Sequence, residues 1–352
     1  MGFSWLLKAT ASMCFFAKLG IFLFYWIAAI SFLVVYALKD KDLPLKTAHI
    51  IYWICNLWVV FTLYMSVILV IILILRHFIH SINQPFLLSL IIVAVIFVLG
   101  FLNYKKPKTK NLDIAISKQM NNYNNLQKNK TLRIAALSDI HLGYGTTKKA
   151  FEKTVKIINQ LHPDIILIAG DLFDMSCVPL EKDGFKDAIN QLNAPMGIYM
   201  CMGNHEYISG REKSIDFIKR TKIKLLIDSV AKLDNGLQII GRDDKSNDNR
   251  LPLKNLIKSC DKNKPVFLLD HQPYDNEIET ANKMQVDFAL YGHTHRGQFF
   301  PINLITSALY RQDHGFKKYS YSNILVSSGL FLWGQPLRIG SNNELWVVNI
   351  RF

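Results

Sequence analysis

The chain has 352 residues, half of them hydrophobic, and its 41 Lys/Arg against 27 Asp/Glu give a formal net charge of +14. That length has room for two or three domains, and the apolar residues are too unevenly placed for one soluble globule, because the long uncharged runs are confined to about the first hundred positions. The positive excess does not mark a nucleic-acid-binding face, since it divides as +4 over residues 1–102, +6 over 103–130 and only +4 over 131–352.

Leu19–Leu38, Ile50–Leu75 and Phe86–Leu102 are runs of 20, 26 and 17 residues without a charge. A hydrocarbon core of about 30 Å takes roughly 20 residues at about 1.5 Å each. Three spans are expected, at 19–38, 50–75 and 86–102, within a transmembrane region covering 1–104. A cleaved signal peptide does not fit, because the first run is too long and two more follow it. Phe3–Ala17 is apolar but closely bracketed by Lys8 and Lys18, and reads as interfacial. The spans contain no internal Asp, Glu, Lys or Arg, which argues against a translocation pathway. Asn56 and Ser66 are their main polar residues, expected to bond between helices.

With three spans, Lys8, Lys18 and Arg76 share one side of the bilayer. Lys39, Lys41, Lys46, Lys105, Lys106, Lys108 and Lys110 lie on the other with the globular domain, which the charge bias places in the cytoplasm of a multi-pass cell-membrane protein. Cys177, Cys201 and Cys260 are odd in number and lack framework spacing, as suits a reducing compartment. Residues 105–130 form a basic Asn/Lys-rich linker whose lysines suit anionic headgroups, with an alternating segment at 111–117 as a candidate edge strand.

A globular domain is expected over 131–352. Leu132–Leu137, Ile165–Ala169, Ile198–Cys201, Leu237–Ile240, Val266–Leu269, Phe288–Tyr291, Ile324–Ser327 and Leu345–Ile350 read as buried strands. Between the first two, Phe151, Val155, Ile158 and Leu161 recur at helical spacing over 148–161. Strands alternating with helices imply a layered α/β domain.

Five segments follow these strands: Asp139-Ile140-His141, Gly170-Asp171-Leu172-Phe173-Asp174, Gly203-Asn204-His205-Glu206, His271, and Gly292-His293-Thr294-His295. All sit at carboxyl ends of strands, where open α/β sheets bind ligands. They bring together the carboxylate, amide and imidazole donors of a hydrolytic two-metal centre. The donor set suits Mn, Fe or Zn better than Mg alone, and the sequence does not choose among them.

The five motifs, complete and in order, resemble the calcineurin-like metallophosphoesterase family. The similarity covers roughly Leu112–Phe352 and extends through Gly241-Arg242-Asp243-Asp244, Asp270-His271-Gln272-Pro273 and the tail from Ser327 to Glu344 to the membrane-anchored bacterial branch. It implies a layered calcineurin-like sandwich and two divalent metal ions, with Asp139, His141 and His295 on the first, Asn204, His271 and His293 on the second, and Asp171 bridging. A metal-bridging hydroxide would attack phosphorus, His205 would act as general acid, and the Asp174 carboxylate would orient it. Many relatives have Gly where this chain has Arg296, a departure that bears on the substrate pocket. Arg242, Arg296 and Arg338 are candidate phosphate clamps. Glu206, Asp243, Asp244 and Asp270 read as supporting residues. The tether suggests a lipid-linked phosphoester or pyrophosphate as substrate. The competing reading, a catalytically silent tethered binding protein, is disfavoured by the intact ligand set and by His205.

Overall fold

The computed structural model describes residues 43–120 and 131–352 continuously, with 33–41 and residues 19, 20, 23, 26 and 30. The chain folds as two compact units, one comprising the N-terminal part through Leu102 with Gly334–Pro336, the other Asn103–Trp333 with Leu337–Phe352.

In the first unit, helices Leu45–Phe78 and Pro85–Tyr104 are, among the described residues, the two long and apolar enough to cross a membrane. They contain the expected spans 50–75 and 86–102 and run past them at both ends. Pro85 opens the second helix at a position where its missing N–H costs nothing. Only 28% and 22% of their most apolar stretches are buried, the opposite of core helices in a soluble protein. Edge-to-face contacts of Trp53 with Phe101 (6.4 Å) and of Phe97 with Phe61 (6.3 Å) and Tyr64 (6.1 Å) pack one helix on the other. Among the described residues Asn56 and Ser66 bond within their own helix rather than between helices as expected. Asn56 donates to the Tyr52 carbonyl and Ser66 to that of Thr62, because a carbonyl one turn back is always in reach. Within the expected 19–38 span Leu33–Leu38 and residues 19, 20, 23, 26 and 30 are helical, whereas its other nine positions, and all of Phe3–Ala17, lie outside the described residues.

Among the described residues the second unit holds twelve strands: β1 (Lys108–Ala115), β2 (Thr131–Leu137), β3 (Ile165–Ala169), β4 (Ile198–Cys201), β5 (Ile223–Leu226), β6 (Ser229–Lys232), β7 (Gln238–Gly241), β8 (Val266–Leu269), β9 (Phe288–Tyr291), β10 (Gly315–Lys318), β11 (Asn323–Val326) and β12 (Glu344–Arg351). They form two six-stranded sheets, ordered β1-β12-β2-β3-β4-β5 and β10-β11-β9-β8-β7-β6. The segment expected as a linker thus carries β1, at a sheet edge and three residues earlier than the alternating pattern suggested. It pairs in parallel with β12, and residues 121–130 lie outside the described residues.

Because successive strand residues point to opposite faces, each uninterrupted apolar strand feeds two cores. Ile165, Leu167 and Ala169 of β3 join Phe267, Leu269, Phe288 and Leu290 between the sheets. Ile166 and Ile168 pack outward against Phe151, Val155 and Ile158 of the helix Lys148–Gln160. On the far face of the other sheet, Leu268 and Ala289 meet Leu253, Ile257 and Ile278. The result is a mixed α/β sandwich with helices on both outer faces. β2, β3, β4 and β5 run parallel, as do β7, β8, β9 and β11, so within each group the carboxyl ends share one edge of the sheet.

At the start of β12 the fully buried Glu344 accepts from Lys110 of β1 at 2.5 Å, His314 at 3.0 Å and Trp346 Nε1 at 3.0 Å. Burial alone would raise its pKa, but His314 and Lys110 outweigh burial and hold the carboxyl well below its ordinary 4.5. A depressed carboxylate contributes stability that is complete above its unfolded pKa and disappears as pH falls through the folded one. Glu344→Gln in the detergent-solubilised full chain is expected to cost about 2 kcal/mol at pH 7. The deficit against wild type should shrink as pH drops below 4.5. Denaturant titrations across pH check this, and a deficit constant with pH would contradict it.

Candidate metal centre

The ligand loops are held to one another before any side chain is considered. Asp139 N donates to Gly170 O (3.2 Å), Ile140 N and His141 N both donate to Asp171 O (2.7 and 3.0 Å), and Leu142 N donates to Leu172 O (2.8 Å), so the ladder between β2 and β3 continues past the strands. Gly292 N at the end of β9 donates to His271 O at 2.9 Å. A Cβ on Gly203 would overlap the Asp171 carboxylate and one on Gly292 that of Asp139, so these loops accept no side chain there. Asp139, His141, Asp171, His293 and His295 all have φ between 44° and 70°, a region costly for residues other than glycine.

This backbone brings the expected side chains together. His141 Nε2 faces His295 Nε2 at 3.0 Å, and His295 Nε2 lies 3.3 Å from Asp139 Oδ1. Asn204 Oδ1 is 3.0 Å from His271 Nε2 and 2.9 Å from His293 Nδ1. Asp171 Oδ2 stands between the two sets, 3.1 Å from His271 Nε2 and 3.7 Å from His141 Nε2. All these residues are buried except Asn204 and His293, which are half-buried.

Glu206, fully buried, accepts from the N–H groups of Asp171 (3.0 Å), Leu172 (2.8 Å), Phe173 (3.3 Å) and Gly203 (2.7 Å), fastening the loop after β3 to the loop after β4. Burial pushes its carboxyl up to about 7, against those hydrogen bonds. Burial likewise raises Asp139 to about 6 and lowers His293 to about 3, with His141 and His295 also well below the usual imidazole value. Burial lowers His271 too, but the Asp171 carboxylate overrides it and holds the imidazole well above its ordinary value.

His205 N donates to Asp171 Oδ1 at 2.9 Å, and its ring lies edge-to-face with that of His141 at 4.5 Å between centroids. Its Nδ1 bonds the main-chain oxygen of Asp174, while the Asp174 carboxylate, expected to be the acceptor, stands off at 4.0 Å. The turn after β3 presents the carbonyl, leaving the carboxylate to act through its charge.

Two of the three expected phosphate clamps are structural. Arg338 is buried and spends its guanidinium on the carbonyls of His295 (2.8 Å), Ser328 and Phe331 (3.1 Å) and on Asn343 Oδ1 (2.8 Å). It supports the His295 loop from behind. Arg242, also buried, pairs with Asp270 (3.4 Å) and Glu277 (2.9 Å), a network completed by Arg250, which the sequence reading missed. Nothing in the local sequence marks Arg250, since its partners are 20 and 27 positions away. Arg296, half-buried beside His295, has no side-chain hydrogen bond or ion pair among the described residues.

The donors fit divalent cations. Asp139/His141/His295 and Asp139/Asp171/His271 each offer ligand atoms within 4.8 Å of one another. His141 and His295, whose imidazoles burial holds well below their usual pKa, point their Nε2 atoms at each other at 3.0 Å. Donors so placed suit a cation between them.

An α/β sandwich with buried Asp, Asn and His at its strand ends defines a metal-dependent hydrolase class, and comparison with known proteins makes the class specific. The Calcineurin-like phosphoesterase family model matches residues 132–297. An uncharacterized metallophosphoesterase of Campylobacter jejuni is 30% identical over 76% of this chain and 70% of its own. One from Aquifex aeolicus is 31% identical over 64% of this chain and 87% of its own. A Danio rerio protein described as a transmembrane protein with metallophosphoesterase domain is 28% identical over 73% of this chain and 61% of its own, so the match spans less than two thirds of that relative. The chain belongs to the calcineurin-like metallophosphoesterase family and is a hydrolase acting on phosphoester bonds.

Because Glu206 touches backbone N–H groups of two ligand loops, Glu206→Gln should weaken metal affinity by about 10- to 100-fold with the fold retained. Metal titration of the full chain followed by calorimetry measures this, and unchanged affinity would remove Glu206 from a positioning role.

Proposed function

We propose that this protein is a membrane-anchored, two-metal phosphoesterase in which Asp139, His141 and His295 hold one cation, Asn204, His271 and His293 the other, and Asp171 spans both. The observation that carries this is the reach of Asp171 Oδ2 to imidazoles of both sets, 3.1 Å to His271 and 3.7 Å to His141. Bound there, Mn, Fe or Zn would supply Lewis acidity and a nucleophile from water at neutral pH.

The chain's own residues supply the rest. His205 is the proton donor to the departing oxygen. Its Nδ1 is taken by the Asp174 main chain, which leaves Nε2 free for substrate. Burial acts to lower its pKa, but the Asp171 and Asp174 carboxylates outweigh burial and raise it, favouring the protonated form a general acid needs. Glu206 and Arg338 hold the ligand loops, and Arg296 is the arginine left free to meet a phosphoryl oxygen. The first apolar run supplies a third span, the lysine bias sets the catalytic unit on the cytoplasmic side, and the substrate class is a lipid-linked phosphoester or pyrophosphate.

Asp171→Ala is expected to lose metal at both positions. His205→Ala should retain metal and lose about 10²- to 10⁴-fold in turnover. The measurements are elemental analysis and a metal-reconstituted assay of the full-length protein on mono-, di- and pyrophosphoesters. Wild-type turnover in either variant would refute the role assigned to that residue.

A further inference from the structure

The helix Ile302–Leu309 is turned inside out. Its polar side is the one fastened to the protein: Thr306 Oγ1 and Ser307 Oγ donate to Asp313 Oδ2 at 3.1 and 2.8 Å. Leu304, Ile305 and Leu309 are 59%, 53% and 72% exposed, and none of its eight residues is buried. Positions 304 and 305 recur one turn on at 308 and 309, so Leu304, Ile305, Ala308 and Leu309 form one continuous apolar face. Phe300, just before the helix, and Trp333 are also exposed, at 51% and 42%.

This face is attached to the metal centre. The helix start packs so closely on Gly297 that a Cβ there would overlap Asn303, and Gly297 is two residues past His295. Thr294 Oγ1 donates to Asp313 O at 2.5 Å, tying the other end of the segment to the same ligand loop. Trp333 is held through its carbonyl by Gln298 Nε2 (3.2 Å) and its ring stands 6.5 Å from that of His205. The apolar surface therefore borders the mouth of the site.

We propose that Phe300, the Leu304/Ile305/Leu309 face and Trp333 form a bilayer-seating surface that sets the mouth of the metal centre against lipid headgroups, so that phosphoesters are taken from the membrane rather than from solution. The occupant is a phospholipid surface. Only Lys105–Pro107 separate the helix ending at Tyr104 from β1, so a catalytic unit on so short a tether cannot leave the membrane that its apolar helices enter. On the next strand Phe316 and Lys318 are exposed on one face, an aromatic and a cation of the kinds that meet anionic headgroups. An aromatic at the mouth suits the interface, where Trp is favoured.

The substrate part of this inference rests on the phosphoesterase reading, whereas the docking part has its own readout. A photoreactive benzoylphenylalanine is placed at Ile305, at Leu309 and, as a control, at Ile157, a lone exposed apolar residue on the helix Lys148–Gln160 that is 41% exposed. The full chain is reconstituted in vesicles of mixed anionic and zwitterionic phospholipid, irradiated and analysed by mass spectrometry. Lipid adducts at 305 and 309 but not at 157 are expected. Adducts absent from both positions, equal at all three, or formed mainly with a second copy of the chain would overturn the seating surface. A Leu304→Ser/Ile305→Ser/Leu309→Ser variant should lower the ratio of vesicle-embedded to soluble phosphoester turnover by about tenfold. An unchanged ratio would refute delivery from the membrane. Lipid adducts with no turnover of either substrate would refute the hydrolase reading and leave the docking surface standing.

Discussion

The centre depends on five non-glycine residues held in left-handed backbone conformations. Asp139, His141, Asp171, His293 and His295 each pass through φ between 44° and 70°, and such a conformation costs on the order of 1–3 kcal/mol per residue. A chain accepts that cost only where its surroundings leave no alternative. Here the constraint is tertiary. The loops after β2 and β3 continue the strand ladder, Glu206 takes up the N–H groups of three consecutive residues, and Arg338 gathers the carbonyls behind His295. Each turn points its side chain at the common centre, which an ordinary strand-to-helix connection would not do.

The supports are themselves buried ionisable groups, which accounts for their multiplicity of bonds. Glu206 accepts four backbone hydrogen bonds, and Arg338 donates through both terminal nitrogens to the carbonyls of His295, Ser328 and Phe331. An isolated charge at those depths would cost more than the loops could return. The same logic applies on the flank of the second sheet, where Arg242 and Arg250 meet Asp270 and Glu277. Asp270 directly precedes His271, so this four-residue network fixes the backbone that presents a ligand. Of the three candidate clamps, the buried Arg242 and Arg338 hold the architecture, and the half-buried Arg296 has no side-chain hydrogen bond or ion pair among the described residues.

Which parts were legible in the sequence follows from how local their causes are. Ile165–Ala169, Ile198–Cys201, Val266–Leu269 and Phe288–Tyr291 appear with the boundaries the apolar runs suggest, because strands buried on both faces have no polar positions to blur their ends. β5, β6 and β10 escaped, being four-residue edge elements such as Ser229–Lys232 whose mixed composition carries too few periods to register. The convergence of the candidate donors was readable because each combines a donor side chain with a strand end and, in most cases, an adjacent glycine. Arg338 and Arg242 were misread as clamps for the opposite reason. Whether an arginine faces phosphate or protein carbonyls is decided by loops distant in sequence, and neither residue type nor spacing records it. Asn56 and Ser66 failed similarly, since an intrahelical carbonyl competes with any partner on a neighbouring helix.

The helix Ile302–Leu309 breaks the rule that the other described α-helices of the catalytic unit follow. Elsewhere the apolar side of a helix is inward: Phe151, Val155 and Ile158 of Lys148–Gln160 are buried, as are Ile278 and Ala281 of Asp275–Lys283. Were the exposed face of 302–309 a mere loop-tip accident, it would have no reason to be fixed on both flanks to the turn that carries His293 and His295. Instead Gly297 is kept free of a side chain for it and Asp313 is committed to its polar side. A surface that is rigidly built, apolar and joined to a ligand loop is specified for a medium other than water. Two helices long and apolar enough to cross a membrane precede the unit, with only Lys105–Pro107 between the second and its first strand. On the seating proposal the unit meets two solvents at once: its cores exclude water in the ordinary way, and its apolar rim faces the boundary where water ends.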